Sequence, residues 1–170
     1  KSFWLSFLSG FFFFMGVFHW INGIGGFGLP HFLVLLTYFA LYFGIFGLLL
    51  NLVSNNTPLP LIITAPVLWV ALEYLRGHAG FLALPFALLG HSQYQHLPVM
   101  QIADITGVYG ISFIIVMING AVTELVRFGM SRCGIQSENR SYLQKNPIRP
   151  GFSALTAGAF LLYSLAYGYH

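Results

Sequence analysis

Residues 65–77 read APVLWVALEYLRG and residues 101–116 read QIADITGVYGISFIIV, with GHSQ at 90–93 in the connection between them. Both long stretches are apolar enough to be helices in a membrane. The first places Glu73 and Arg76 three residues apart near its end, where side chains on a helix are neighbours. Such charges are costly in lipid unless they are paired or used. They are interpreted as a structural ion pair, with Arg76 snorkelling toward headgroups, or as a polar functional site, and the two interpretations are compatible.

Composition extends the membrane interpretation to the whole chain. Hydrophobic residues make up 57% and charged residues 6%, whereas a soluble domain has about a quarter charged residues. Five apolar segments, at 3–20, 29–53, 59–76, 106–126 and 152–169, are each long enough to cross a bilayer as helices. The sequence therefore predicts an all-α, polytopic transmembrane helical bundle of about five spans, forming a single domain over residues 1–170.

The basic residues predict the orientation. Most of them lie between the fourth and fifth segments, at Arg127, Arg132, Arg140, Lys145 and Arg149. Because cytoplasmic loops carry an excess of Lys and Arg, loop 127–149 is expected in the cytoplasm and loop 78–105 on the opposite side. With so few basic residues, nucleic-acid binding is not expected.

Loop 78–105 has an apolar half around Pro85 and Phe86 and a polar half that begins at His91. Loops of this length are usually functional or disordered. Its apolar half suggests a segment that lies in the membrane interface or makes a re-entrant turn. His78, His91 and His96 lack the i, i+4 spacing and the carboxylates of a zinc site, so no metal site is predicted.

Three further features concern the fourth segment. Asp104 and Thr106 lie where it begins, and at least one of them is expected to cap the helix. Tyr109, between two glycines, is expected to be an interfacial anchor. Glu124 and Arg127 repeat the three-residue spacing at the other end and are expected to be an ordinary surface pair. Glycines that allow close helix approach in membranes occur at positions 10, 16, 44, 47 and 120.

The motifs together resemble the membrane portion of the bacterial apolipoprotein N-acyltransferases. That family carries, in order, Pro-x-x-Trp, Glu-x-Leu-Arg-Gly, Gly-Phe-Pro-Trp, Gly-Tyr-Ser-Gln and Gly-Val-Tyr-Gly-x-Ser-Phe. This chain departs from it at 83–86, which read ALPF, and at 90–93, which read GHSQ. The start, GFFFFMGVFHWIN at 10–22, also resembles the family's Gly-x-x-x-x-x-Gly-x-x-x-Trp helix. The resemblance covers essentially the whole chain.

The resemblance implies an acyltransferase of the bacterial inner membrane. Such an enzyme moves an acyl chain from a phospholipid, through an enzyme thioester, to the N-terminal diacylglyceryl cysteine of a lipoprotein. The family's Glu, Lys and Cys triad belongs to a nitrilase-like domain that follows these spans. Cys133, Glu138 and Lys145 are not that triad, because they lie in a short polar stretch without strand pattern.

This region is thus expected to supply lipid access and a platform rather than the nucleophile, to need no cofactor, and to be inactive alone. Its expected partners are phospholipid, the diacylglyceryl lipoprotein and the nitrilase-like domain. A non-catalytic membrane scaffold and a small transporter are the alternatives, although a transporter usually shows midplane polar groups and paired repeats. The candidate residues for lipid contact or domain docking are Glu73, Arg76, Pro85, Phe86, His91, Ser92, Gln93 and Tyr109.

Overall fold

The computed structural model describes residues 1–132 and 150–168, and in this part of the chain all regular structure is helical. The prediction of an all-α fold is therefore confirmed there. Short 3-10 turns lie at His19–Gly23, Gly80–Leu82 and Leu89–Gln93. The helices are α1 (Ser2–Val17), α2 (Leu29–Asn56), α3 (Leu61–Gly77), α4 (Leu97–Met100), α5 (Ala103–Arg132) and α6 (Pro150–Gly168).

The described helices support only part of the predicted number of membrane spans. Within the described residues, two helices are long and apolar enough to cross a membrane: Leu29–Asn56 and the Ala103–Met130 part of α5. Two more, Ser2–Val17 and Ser153–Gly168, are apolar but shorter. The first predicted segment ends early because His19 and Asn22 side chains bond backbone carbonyls three residues back, which competes with helix continuation. The count of five spans is not confirmed.

Residues Lys1–Asn55 form one compact unit, a helical hairpin of α1 and α2. Its two helices run antiparallel, since Asn51 Nδ2 donates to Ser2 Oγ at 2.6 Å and the Phe14 and Phe39 rings lie 4.7 Å apart. The helices approach closely where they carry glycine. A Cβ on Gly44 would lie 2.6 Å from the Phe3 ring. Aromatic stacking and small residues therefore hold this unit together.

The second unit, Asn56–His170, contains the remaining helices. Helix α5 packs against α3 on one side and α6 on another. One core cluster contains Ile62, Met117, Ala121 and Ala157. A second contains Ile102, Ile111 and Ile114, with Leu161 packed on it. The short α4 also packs on α6, so the connection between α3 and α5 is folded back onto the helices.

Helix α5 is broken near its start at Gly107, which has φ 65° and ψ −177°. This backbone region is essentially open only to glycine. The helix begins at Ala103, ahead of the predicted start. The Thr106 hydroxyl donates to the Ile102 carbonyl at 2.9 Å, whereas an N-cap oxygen must accept from an amide. The same hydroxyl can still accept from an amide, so capping by Thr106 stays a prediction. Asp104 lies in the first turn, where a carboxylate interacts favourably with the helix dipole.

Candidate functional site

The last turns of α3 carry two ionisable side chains that the structure buries completely inside the protein. Glu73 and Arg76 are each 2% exposed. A snorkelling Arg76 would extend toward the surface, so that part of the sequence interpretation is wrong. Burial of a charged group requires hydrogen bonds or a partner charge, and both side chains obtain hydrogen bonds from the loop that follows the helix.

Arg76 binds the backbone of this loop. Its Nη2 donates to the carbonyl oxygens of Phe86 at 3.2 Å and Ala87 at 3.4 Å. Its own carbonyl accepts from the Leu84 amide at 3.1 Å. Ala87 has φ 51°, a left-handed conformation that disfavours a residue with a Cβ by roughly 1–2 kcal/mol. Charge-assisted bonds from a guanidinium are strong enough to hold such a turn.

Glu73 binds the same loop two residues further along. Its Oε1 accepts from the Leu89 amide at 2.7 Å. Its Oε2 is buried and has no hydrogen-bond partner among the described residues. The next amide, of Gly90, donates to the hydroxyl of Ser112 on α5 at 2.9 Å. Residues 84–90, here called the clamped loop, are thus fastened to α3 and to α5.

The clamped loop lies directly against α5. A Cβ on Gly90 would lie 2.5 Å from the carbonyl oxygen of Val108. Only glycine fits this approach without moving a backbone. The sequence analysis quoted Gly90 within GHSQ but missed its contact, and it missed Ser112. A serine in an apolar helix commonly bonds the backbone of its own helix. The presence of a serine at position 112 therefore does not predict a bond to the loop.

Pro85 and Tyr109 meet beside the end of α3. A Cβ on Gly77 would lie 3.1 Å from the Tyr109 hydroxyl and 3.7 Å from Pro85 Cβ. The Tyr109 ring also contacts Tyr74, with centroids 5.7 Å apart at 60°. The structure therefore brings Glu73, Arg76, Pro85, Phe86 and Tyr109 into one region.

The polar half of the loop forms a surface turn that is bonded to the end of the clamped loop. Ser92 Oγ donates to the Leu89 carbonyl at 2.8 Å, and Gln93 Nε2 donates to Ser92 Oγ at 3.1 Å. His91 and Ser92 are exposed. These residues form their own turn on the surface. In the described ranges, 1–132 and 150–168, no group of three His, Cys, Asp or Glu side chains could hold a metal ion.

A groove beside Tyr109 is the second feature of this region. Its volume is about 300 Å³. It opens between α3, α5 and α6, close to the break at Gly107. Its lining is largely apolar and consists of Val70, Ile102, Thr106, Tyr109, Gly110, Phe113, Ile114 and Phe160.

The other end of α5 holds Glu124 and Arg127. The Ser153 hydroxyl of α6 donates to Glu124 Oε2, and Ser153 is fully buried. Glu124 is only partly exposed. This carboxylate therefore also joins two helices, and its pairing with Arg127 stays a prediction. Cys133, Glu138 and Lys145, with most of loop 127–149, lie outside the described residues.

Comparison with known proteins identifies the chain's relatives. The family model described as the apolipoprotein N-acyltransferase N-terminal domain matches residues 1–121. The apolipoprotein N-acyltransferase of Geobacter metallireducens is 34% identical, over 99% of this chain and 31% of its own length. That of Rhodopirellula baltica is 30% identical, over 88% of this chain and 27% of its own length. No solved structure matches.

The chain thus spans less than a third of the length of these curated relatives, 31% in the first and 27% in the second. The matched residues include α1, α2, α3, the clamped loop and most of α5. The resemblance predicted from the motifs is confirmed: the chain belongs to the apolipoprotein N-acyltransferase family, and its residues 1–121 match that family's N-terminal domain.

Proposed function

We propose that this chain is the membrane part of an apolipoprotein N-acyltransferase of the bacterial inner membrane. The whole enzyme would transfer an acyl chain from phospholipid, through a thioester, to the N-terminal diacylglyceryl cysteine of a lipoprotein. This part would supply lipid access and a platform, and a nitrilase-like domain of the same chain would supply the nucleophile. The observation that carries the proposal is the family match over residues 1–121, in a chain that covers 31% of a relative's length.

The geometry favours a platform over a transport pathway. A transporter would place its buried ionisable groups toward a polar cavity, whereas Glu73 and Arg76 bind the backbone of the clamped loop. The groove beside Tyr109 is largely apolar. Exposing an acyl chain to water costs about 0.8 kcal/mol per methylene, and an apolar groove beside a fixed loop avoids that cost for lipid substrates that arrive laterally.

Measuring acyltransferase activity in the full-length protein and in residues 1–170 alone distinguishes the proposed enzyme from a non-catalytic scaffold. We expect the full-length protein to N-acylate a diacylglyceryl lipopeptide in phospholipid vesicles, measured by mass spectrometry. Residues 1–170 alone should give no product and no acyl adduct on Cys133. A full-length protein without activity at normal membrane abundance would support the scaffold. A stable acyl adduct on Cys133 would contradict the platform role.

The proposed orientation places loop 127–149 in the cytoplasm and loop 78–105 in the periplasm. Single cysteines at positions 92 and 141, in the full-length protein with Cys133 replaced by serine, report on it. An impermeant thiol reagent added to the outside should label position 92 and not position 141. The reverse pattern would overturn the orientation.

A further inference from the structure

Residues 80–86, which include the first part of the clamped loop, expose large apolar side chains. Phe81 is 96% exposed, Leu82 53% and Phe86 55%. No Asp, Glu, Lys or Arg occurs between Gly77 and Ala103. The exposed apolar side chains therefore have no charged neighbours within the loop that would favour contact with water. Contiguous exposed apolar patches generally mark contact with a partner or a membrane.

The backbone of the same segment bonds to protein groups at several points. The amides of Leu82 and Ala83 donate to the carbonyls of Ala79 and Gly80. Further along, Arg76 and Glu73 bind the loop carbonyls and the Leu89 amide. A loop exposed to water can obtain such bonds from water instead. In lipid, non-helical backbone is tolerated where it is buried against protein, which then supplies the partners of its polar groups.

The polarity of the loop side chains changes sharply at Gly90. Apolar residues precede it, and the residues from His91 to His96 are polar, nearly all of them exposed. This order gives the loop a lipid-compatible part next to α3 and a water-compatible part beyond it. A protein partner covering Phe81 would not by itself require two buried ionisable side chains behind the loop.

We propose that the side chains of Phe81, Leu82 and Phe86 insert among the acyl chains of a phospholipid leaflet, while the backbone of residues 84–90 is held against the protein. Glu73 and Arg76 then replace water as partners of the loop backbone, and residues 91–96 lie among the headgroups. The inference rests on the membrane location in the proposed function and is independent of acyl transfer. It assigns the buried pair a specific task, which is to keep a non-helical segment stable inside the bilayer.

Spin labels measure this directly. Nitroxides are attached to single cysteines at positions 81, 92 and 122 of the full-length protein, with Cys133 replaced by serine. The protein is placed in vesicles of phosphatidylethanolamine and phosphatidylglycerol. Collisions with oxygen, which concentrates in lipid, are compared with collisions with a water-soluble nickel chelate. Val122 is an exposed residue of α5, so its label reports whether that helix is in lipid.

We expect oxygen to dominate at positions 81 and 122 and the nickel chelate at position 92. Nickel access at 81 equal to that at 92, with 122 still in lipid, would overturn the inference alone. A label at 81 reached by neither reagent would also overturn it, in favour of a covering protein surface. Nickel access at 122 would contradict the membrane location itself and therefore the proposed function.

Discussion

Two Glu-x-x-Arg pairs on two helices of one unit have different surroundings. Glu73 and Arg76, on α3, are both buried and bind a loop backbone. Glu124 and Arg127, on α5, are partly exposed, and Glu124 accepts from Ser153 of α6. Equal spacing makes the two residues of each pair neighbours on a helix. The segment that packs over each pair determines which groups the two side chains bind. It therefore also determines how much stability and activity is lost when one of them is removed.

The sharpest test of this difference removes the arginine from each pair. Arg76→Ala leaves Glu73 buried and takes the guanidinium from two carbonyls, a change that costs about 3–5 kcal/mol for a buried charge. Arg127→Ala, at a partly exposed position, should cost no more than about 0.5 kcal/mol. We expect Arg76→Ala to reduce lipoprotein N-acylation at least tenfold in the full-length enzyme and Arg127→Ala to be nearly silent. Both are compared at matched membrane abundance; equal activities would remove the functional distinction.

The second test asks whether Glu73 acts as an acceptor or as a charge. Glu73→Ala leaves the Leu89 amide without its acceptor, at about 1–3 kcal/mol. Glu73→Gln keeps an acceptor oxygen of the same reach. We expect hydrogen exchange of residues 84–90 to rise strongly in the alanine variant and to rise less in the glutamine variant. If both variants exchange equally fast, the negative charge beside Arg76 matters more than the bond to Leu89.

Gly90 provides a test on the α5 side of the clamped loop. Gly90→Ala places a methyl group against the Val108 carbonyl, and overpacking of this kind costs about 1–3 kcal/mol. Gly129→Ala is the matched control, because nothing lies within 4 Å of its added Cβ. We expect only the Gly90 variant to lower the temperature at which half the protein remains in solution after heating in detergent. An unchanged temperature would mean that the loop shifts freely.

The smallest effect is expected at the Glu124 end. Ser153→Ala removes one hydroxyl hydrogen bond to Glu124, a contribution of about 0.5–1.5 kcal/mol. Because Glu124 is partly exposed, water can replace the bond. We expect a small loss in the same heating assay and normal N-acylation. A loss of activity as large as that of Arg76→Ala would mean that both ends of this unit act on the reaction.

The positions of the helices were predictable because length and apolarity are local properties of the sequence. Each predicted segment contains most of one helix. The ends of the helices were less predictable. Helix α1 stops at Val17, where the following His19 and Asn22 side chains bond the backbone, and α5 breaks where Gly107 takes a positive φ. Of the glycines expected at close contacts, Gly10 and Gly44 are in contact with aromatic side chains, but Gly16 has nothing within 4 Å.

The candidate site was predictable in its members but not in its bonds. Charges in an apolar helix single out Glu73 and Arg76, and the motif resemblance adds Pro85 and Tyr109. Their partners are backbone groups of the clamped loop, and every residue type carries such groups. The residue types therefore do not indicate which backbone groups bind Glu73 and Arg76. The buried hydroxyl of Ser112 was missed for the related reason that its partner is an amide of Gly90.

The clamped loop has a consequence for sequence variation. Its shape is held by side chains of α3 and α5 that bind its backbone, so its own side chains from Leu84 to Leu88 are not needed as hydrogen-bonding groups. Related proteins can then exchange these residues without refolding the loop. This chain has ALPF at 83–86 where the family pattern has Gly-Phe-Pro-Trp. A loop fastened in this way can change the surface that it offers to lipid while its path stays the same.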